Sequence, residues 1–136
     1  MNAQVQIDRL LQRLSPILNR QQLALCPLEE AQLQDLLGDC LSVFREREGL
    51  CALLPAAVAR ERGLRSDGSY RQITLHCSQQ LPVPGLAAAV VRALAEAGLH
   101  ASMVSARCHE HILVREEDTV SAMQVLNGIS NRLQYS

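Results

Sequence analysis

The sequence has no lysine; all thirteen of its basic side chains are arginine. That excludes Schiff-base chemistry on a lysine amine and the phosphate-gripping lysine of a P-loop. There is no tryptophan, and Phe44, Tyr70 and Tyr135 are the only aromatics. A core must therefore be built from Leu, Val, Ile and Ala, which the 48% hydrophobic content supplies. Base-stacking sheets need aromatics on their central strands, and the two best strand candidates, 73–77 and 109–114, have none. With a net charge of −1 as well, a nucleic-acid partner is not expected. No long hydrophobic run exists. The longest, around Leu81–Leu94, is interrupted by Arg92 and two prolines and is too short for a membrane span. The N-terminus lacks the charged-then-apolar order of a secretion signal. The expectation is a soluble cytoplasmic protein with no membrane partner.

Catalytic signatures are missing too. No G-x-S-x-G elbow occurs, and no Ser, His and Asp share a recognisable local context. Cys77 adjoins His76, but neighbours on a strand point to opposite faces. The paired acids Glu29–Glu30 and Glu116–Glu117 stand where helices begin, and the helix dipole accounts for them. The cysteines Cys26, Cys40, Cys51, Cys77 and Cys108 are odd in number and have no metal-type spacing. They read as small buried hydrophobes in a reducing compartment. The chain is expected not to be an enzyme, with no catalytic residue, no resident metal and no cofactor.

What is present centres on Tyr70–Val114. Ile73, Leu75 and Cys77 alternate with Gln72, Thr74 and His76, the period of a half-buried strand. Pro82, Pro84 and Gly85 then break the strand and turn the chain. From Leu86 the period is helical: Leu86, Val90, Ala93, Leu94 and Ala97 share one face, and Arg92 and Glu96 the other. Gly98 suits the residue just past the helix end. Residues 99–106 and 109–114 read as two more strands. Earlier, Ile7 to Leu18 follow helical spacing, with Pro16 expected to end or bend that helix one turn early. Leu23–Cys26 is a short strand ending at Pro27. Leu28–Leu37 is a helix with Leu33, Leu36 and Leu37 inward. Cys40–Arg45 and Leu50–Leu54 are strands joined by a hairpin at Glu46–Gly49. Pro55 opens a helix running to about Arg62, and residues 65–69 form a surface turn. Glu116–Ser130 is a helix with Ala122, Leu126 and Ile129 as its inner stripe. The order β-α-β-β-α thus occurs twice, over 23–64 and over 70–131. The fold class is α+β: two ferredoxin-like halves with antiparallel sheets, preceded by an N-terminal helix. The expected division is 1–20 for that helix, 21–66 for the first half and 67–136 for the second.

The strand–PG–helix–AG–strand–turn–strand run resembles the ACT domain, a small ligand-binding regulatory module. Pro84, Gly85, Leu86, Val90, Leu94, Ala97, Gly98 and Leu99 carry the likeness. The segments FREREGLCALLP, YRQITLHC and CHEHILV, in that order, make the chain similar to short tandem-ACT proteins. The resemblance covers roughly residues 10–131. It implies a non-enzymatic regulatory or sensor module binding a small metabolite, with an amino acid as the expected class, at an interface between ACT-like units. It also implies a homodimer. The alternative is a plain interaction or oligomerisation module with no small ligand.

The resemblance places the ligand on the loop before the second-half helix: Ser78, Gln79, Gln80, Val83, Pro84, Gly85 and Leu86. The physical reason is independent of family. The first N–H groups of a helix lack intrahelical partners, and the dipole there favours a small anion such as an amino-acid carboxylate. Many ACT loops carry an acid or amide where this chain has Pro82, so Ser78, Gln79 and Gln80 are the polar side chains in its place. The competing reading of Pro84-Gly85 is a tight turn and nothing more. Three histidines are the other candidates. His109 and His111 share a face, and first and third strands of this plan are neighbours, which brings His76 toward them. Three imidazoles on one face suit either Zn²⁺ with an open position or a polar, hydrogen-bonding stripe, and the stripe is the expectation.

Overall fold

The computed structural model describes residues 3–76 and 85–135. In chain order the elements are helix α1 (Ala3–Gln12), strands β1 (Ser15–Leu18) and β2 (Leu23–Leu28), helix α2 (Glu30–Leu36), strands β3 (Ser42–Glu46) and β4 (Gly49–Pro55), helix α3 (Ala56–Glu61), strand β5 (Ser69–His76), helix α4 (Leu86–Glu96), strands β6 (Ala101–Ser105) and β7 (Glu110–Arg115), and helix α5 (Thr119–Tyr135). They form two compact units. One is Arg20–Arg71, a continuous insertion. The other is split, Met1–Asn19 joined to Gln72–Ser136. The class is α+β with antiparallel sheets and a repeated βαββ order, as the sequence led us to expect.

In the inserted unit the strand order is β3-β4-β2, with the start of β5 beside β2 through Leu23↔Tyr70 and Ala24↔Ser69. Alternation sends Ala24, Cys26 and Leu28 of β2 and Leu50, Ala52 and Leu54 of β4 into a core with Leu33 and Leu36 of α2 and Ala56 and Ala59 of α3. Strand β2 runs on through Pro27, which pairs with Cys51, instead of stopping at Cys26. Among the described residues the β5 pairing of β2 is confined to Leu23 and Ala24, so the N–H that Pro27 lacks costs no ladder bond on that side. Leu37 was expected inward but is 61% exposed. The helix tightens into a 3-10 turn over Leu37–Asp39, and the tighter winding rotates Leu37 off the buried stripe.

In the split unit the order is β1-β5-β7-β6. The last strand of a ferredoxin-like sheet belongs beside the first, and here β1 takes that place, antiparallel to β5 with Ser15↔His76, Ile17↔Thr74 and Leu18↔Ile73. The helical spacing of Ile7 to Leu18 carried the expectation that Pro16 ends or bends the helix one turn early. Pro16 ends it: it has no donor, and it drives Ser15 toward extended angles. The helix ends at Gln12, and residues 15–18 become a strand. Helices α1, α4 and α5 cover one sheet face. Ile7, Leu10 and Leu11, then Leu86, Val90 and Leu94, then Ala122, Leu126 and Ile129 pack onto Ile73, Leu75, Ile112 and Val114. Helix α4 ends as its glycine predicts. Gly98 has φ +79°, Gly98 N–H donates to Ala95 O at 2.9 Å, and Leu99 N–H donates to Leu94 O at 3.0 Å. Those two bonds are the Schellman closure. Ala97, expected on the inner face, is the exposed cap residue instead. Among the described residues no helix is long and apolar enough to cross a membrane.

Leu94 is fully buried between helices and sheet. Leu94→Ala should lower unfolding stability by about 2–5 kcal/mol, as deletion of a buried leucine does. Leu37→Ala, at an exposed position, should change it by less than about 0.5 kcal/mol. Denaturant titration of the two variants checks the contrast.

Candidate functional site

Of the seven residues expected to hold a ligand, Ser78, Gln79, Gln80, Val83 and Pro84 lie outside the described residues. Gly85 and Leu86 open α4. Gly85 caps the helix in the left-handed region, φ +91° and ψ −11°, and its carbonyl accepts the first helical bond from Ala89 N–H at 2.9 Å. A side chain is disfavoured there twice over. The dihedral is one L-residues seldom adopt, and a Cβ would stand 3.0 Å from Cδ1 of Ile7 on α1. Leu86 turns its side chain into the core, so its backbone N–H is what it can offer a ligand. With Ala87 and Ala88 it forms the first turn, whose N–H groups have no intrahelical acceptor.

The second cluster is on the sheet face of the split unit turned away from its helices. Ile73, Leu75, Ile112 and Val114 point to the core, so Gln72, Thr74, His76, His109 and His111 point outward. Rings of His76 and His109 lie 4.2 Å apart between centroids, tilted by 37°, and His109 and His111 lie 6.2 Å apart, edge to face. The three imidazoles do meet. Nδ1 of His111 stands 3.1 Å from Gln72 Nε2 and 3.0 Å from Thr74 Oγ1. Burial, reinforced by the neighbouring His109, holds His111 below its ordinary pKa, against an opposing pull from Glu110. Among the described residues no group of three or more His, Cys, Asp or Glu side chains is disposed to hold a metal ion. The arrangement performs hydrogen bonding on a half-buried face. Ile17 at 50% exposure and Val104 at 47% complete it as an apolar fringe. Sequence reasoning found the histidines but not Asn19, whose Nδ2 donates to Gln72 Oε1 at 3.1 Å. The missed signal was Pro16, which makes a strand of the segment before Asn19.

The acid pairs have structural duties. Glu29 caps α2, its N–H donating to Gln32 Oε1 at 2.8 Å, and Glu30 pairs with Arg45 of β3. The cysteines divide. Cys26 is buried, Cys40 and Cys51 are half-buried, and burial raises the pKa of all three thiols. Cys108 corrects the expectation of uniform burial. It is exposed in the β6–β7 turn, closed by Ala106 N–H donating to His109 O at 3.0 Å. Cys77 lies outside the described residues.

Two family models, both of the ACT domain, match the chain, over residues 65–128 and 3–71. No curated protein matches it. Among solved structures, a Vibrio cholerae protein of unknown function, described as a possible transport protein, is 33% identical. The match covers 95% of this chain and 99% of that one, with a TM-score of 0.84. An Agrobacterium tumefaciens protein is 17% identical over 87% of this chain and 90% of its own, with a TM-score of 0.71. The ligand-free regulatory subunit of aspartate kinase from Thermus thermophilus is 11% identical over 84% of this chain and 95% of its own, with a TM-score of 0.64. The last two likenesses concern the fold.

Thiol exposure and thiolate content set labelling rates together. Under native conditions Cys108 should react with a maleimide well ahead of Cys26, Cys40 and Cys51. Peptide mapping of a timed reaction checks the order, and early labelling of Cys26 would contradict the strand pairing around it.

Proposed function

The chain belongs to the ACT-domain family, and on that premise we propose that it is a non-enzymatic regulatory module binding a small metabolite. The ligand class is an amino acid, held at an interface between ACT-like units, with the halves taken as residues 21–66 and 67–136. The ligand loop is 78–86, from Ser78 to Leu86. The observation that carries the reading is Gly85. It sits at the start of α4 in a left-handed conformation and leaves the first-turn N–H groups uncovered by a side chain of its own. A carboxylate is the natural guest of that turn. The Thermus regulatory subunit gives the fold a precedent in regulation, and its role is carried here as part of the proposal.

The working form is a cytoplasmic homodimer. Strand β6 supports it. It closes one edge of its sheet with the sequence ASMVS, which has neither charge nor proline. Edges left to solvent are usually blunted by such residues, as β1 is by Pro16 and β3 by Arg45 and Glu46. The second reading, an assembly module without a small ligand, draws on Phe44, which is 65% exposed on β3 although it is the chain's single phenylalanine.

A thermal-shift series of amino acids should find one that raises the melting temperature, since a ligand of the native state stabilises it. Gly85→Val should abolish its binding in calorimetry and destabilise the fold by about 1–3 kcal/mol through the left-handed backbone. A folded variant with unchanged affinity removes the ligand from this loop. If no amino acid binds the wild type, the assembly reading takes over. Light scattering should give twice the chain mass at high micromolar concentration, and a monomer would refute the dimer.

A further inference from the structure

The polar face of the split unit holds a hydrogen-bonded series that runs across three strands' worth of residues. Asn19 follows β1 directly. Its backbone N–H donates to Gln72 O at 2.9 Å, and its side-chain Nδ2 donates to Gln72 Oε1 at 3.1 Å. With Oε1 so occupied, the Gln72 amide presents its nitrogen to His111, 3.1 Å from Nδ1. That nitrogen must therefore accept, and the neutral ring carries its proton on Nε2. We propose that Asn19, Gln72 and His111 form a proton-sensitive latch, which ties the end of β1 to β5 while His111 is neutral and weakens when His111 is charged.

The chemistry is a conflict of donors. A proton on Nδ1 faces the Gln72 N–H. To restore the bond Gln72 must turn over, which sets its N–H₂ against the Asn19 N–H₂, so Asn19 must turn as well or lose its side-chain tie. Thr74 Oγ1, 3.0 Å from Nδ1, is the acceptor left to the charged ring, and using it displaces Gln72. The surroundings oppose the charge. His76 and His109 lie nearby on β5 and at the start of β7, Val104 of β6 stands directly opposite His111, and β1 brings Ile17 opposite Thr74 and Ser15 opposite His76. Among the described residues Glu110 is the carboxylate that acts on the ring, and it accepts from Ser105 Oγ at 2.5 Å.

The direction follows from linkage. Burial first, and then His109, hold the His111 pKa below its ordinary 6.5 in the closed form. The donor conflict at Nδ1 acts in the same direction, whereas a ring that opening frees to solvent regains the ordinary value. The open form binds more protons between those two values, so the latch is fully stable above pH 6.5 and loses stability as pH falls below it. The device is separate from the ligand loop and does not depend on it.

Amide hydrogen exchange and imidazole NMR on the full chain, from pH 8 to pH 5, test it. The neutral His111 ring should carry its proton on Nε2. After correction for intrinsic exchange, protection of the Asn19 amide should fall on acidification by up to about tenfold per pH unit, the limit for one proton. His111→Asn offers Gln72 an acceptor that does not titrate, so its Asn19 protection should be flat with pH. Asn19→Ala keeps the backbone amide but removes the side-chain tie, so its protection should be lower and equally flat. A proton on Nδ1 in the neutral ring, or a wild-type pH slope in either variant, overturns the proposal.

Discussion

Strand β5 lies inside its sheet, so its backbone must be satisfied along both edges, and that demand governs the split unit. Strand β7 meets one edge. The other is met by β1, which arrives from the far end of the chain and pairs from Ser15 to Leu18. An unpaired buried amide or carbonyl costs about 1–3 kcal/mol, and a whole strand edge left bare multiplies the cost. The N-terminal segment is thus part of the sheet rather than an accessory to it. Its helix follows the strand into place and adds Ile7, Leu10 and Leu11 to the shared core. The same helix sets Ile7 beside Gly85, so the pairing of β1 reaches as far as the start of α4.

The two faces of β5 then take different physical tasks because its side chains alternate. Ile73 and Leu75 join the dry interior, while Gln72, Thr74 and His76 remain half-exposed among amides, hydroxyls and imidazoles. A half-buried face of this kind favours groups that are polar without being charged. Solvation is too poor to carry an ion cheaply, and the hydrogen bonds must be kept. The Gln72 amide, the Thr74 hydroxyl and His111, whose pKa burial lowers, satisfy both demands.

Much of this was legible in the sequence. The alternation from Tyr70 to His76 and the helical stripe of Leu86, Val90 and Leu94 gave the strand, the helix and their buried faces. Gly85 and Gly98 marked the two helix ends, and both adopt positive φ. The face shared by His109 and His111 followed from period two, and the approach of His76 from the adjacency of first and third strands in this plan. Strand β1 was not legible, because Ile7 to Leu18 keep helical spacing past the proline that stops the helix. Nor was the pairing of the N-terminal segment, which read as a helix set apart at 1–20, whereas the backbone joins residues 15–18 to β5. Cys108 was misread for a related reason: hydrophobic character predicts burial inside strands, and residue 108 falls in the turn between two of them.

The split arrangement also imposes an order on synthesis. The inserted unit is continuous and has all its strands once Ser69 and Tyr70 have left the ribosome. The split unit has no such freedom. Residues 1–19 emerge before the inserted unit and wait, with Ile7, Leu10 and Leu11 lacking their partners, until β5, α4, β7 and α5 have all been made. Domains completed early fold early, and apolar segments kept waiting are the ones prone to wrong association. A short amphipathic helix followed by a four-residue strand presents little surface for such errors while its partners are still to come.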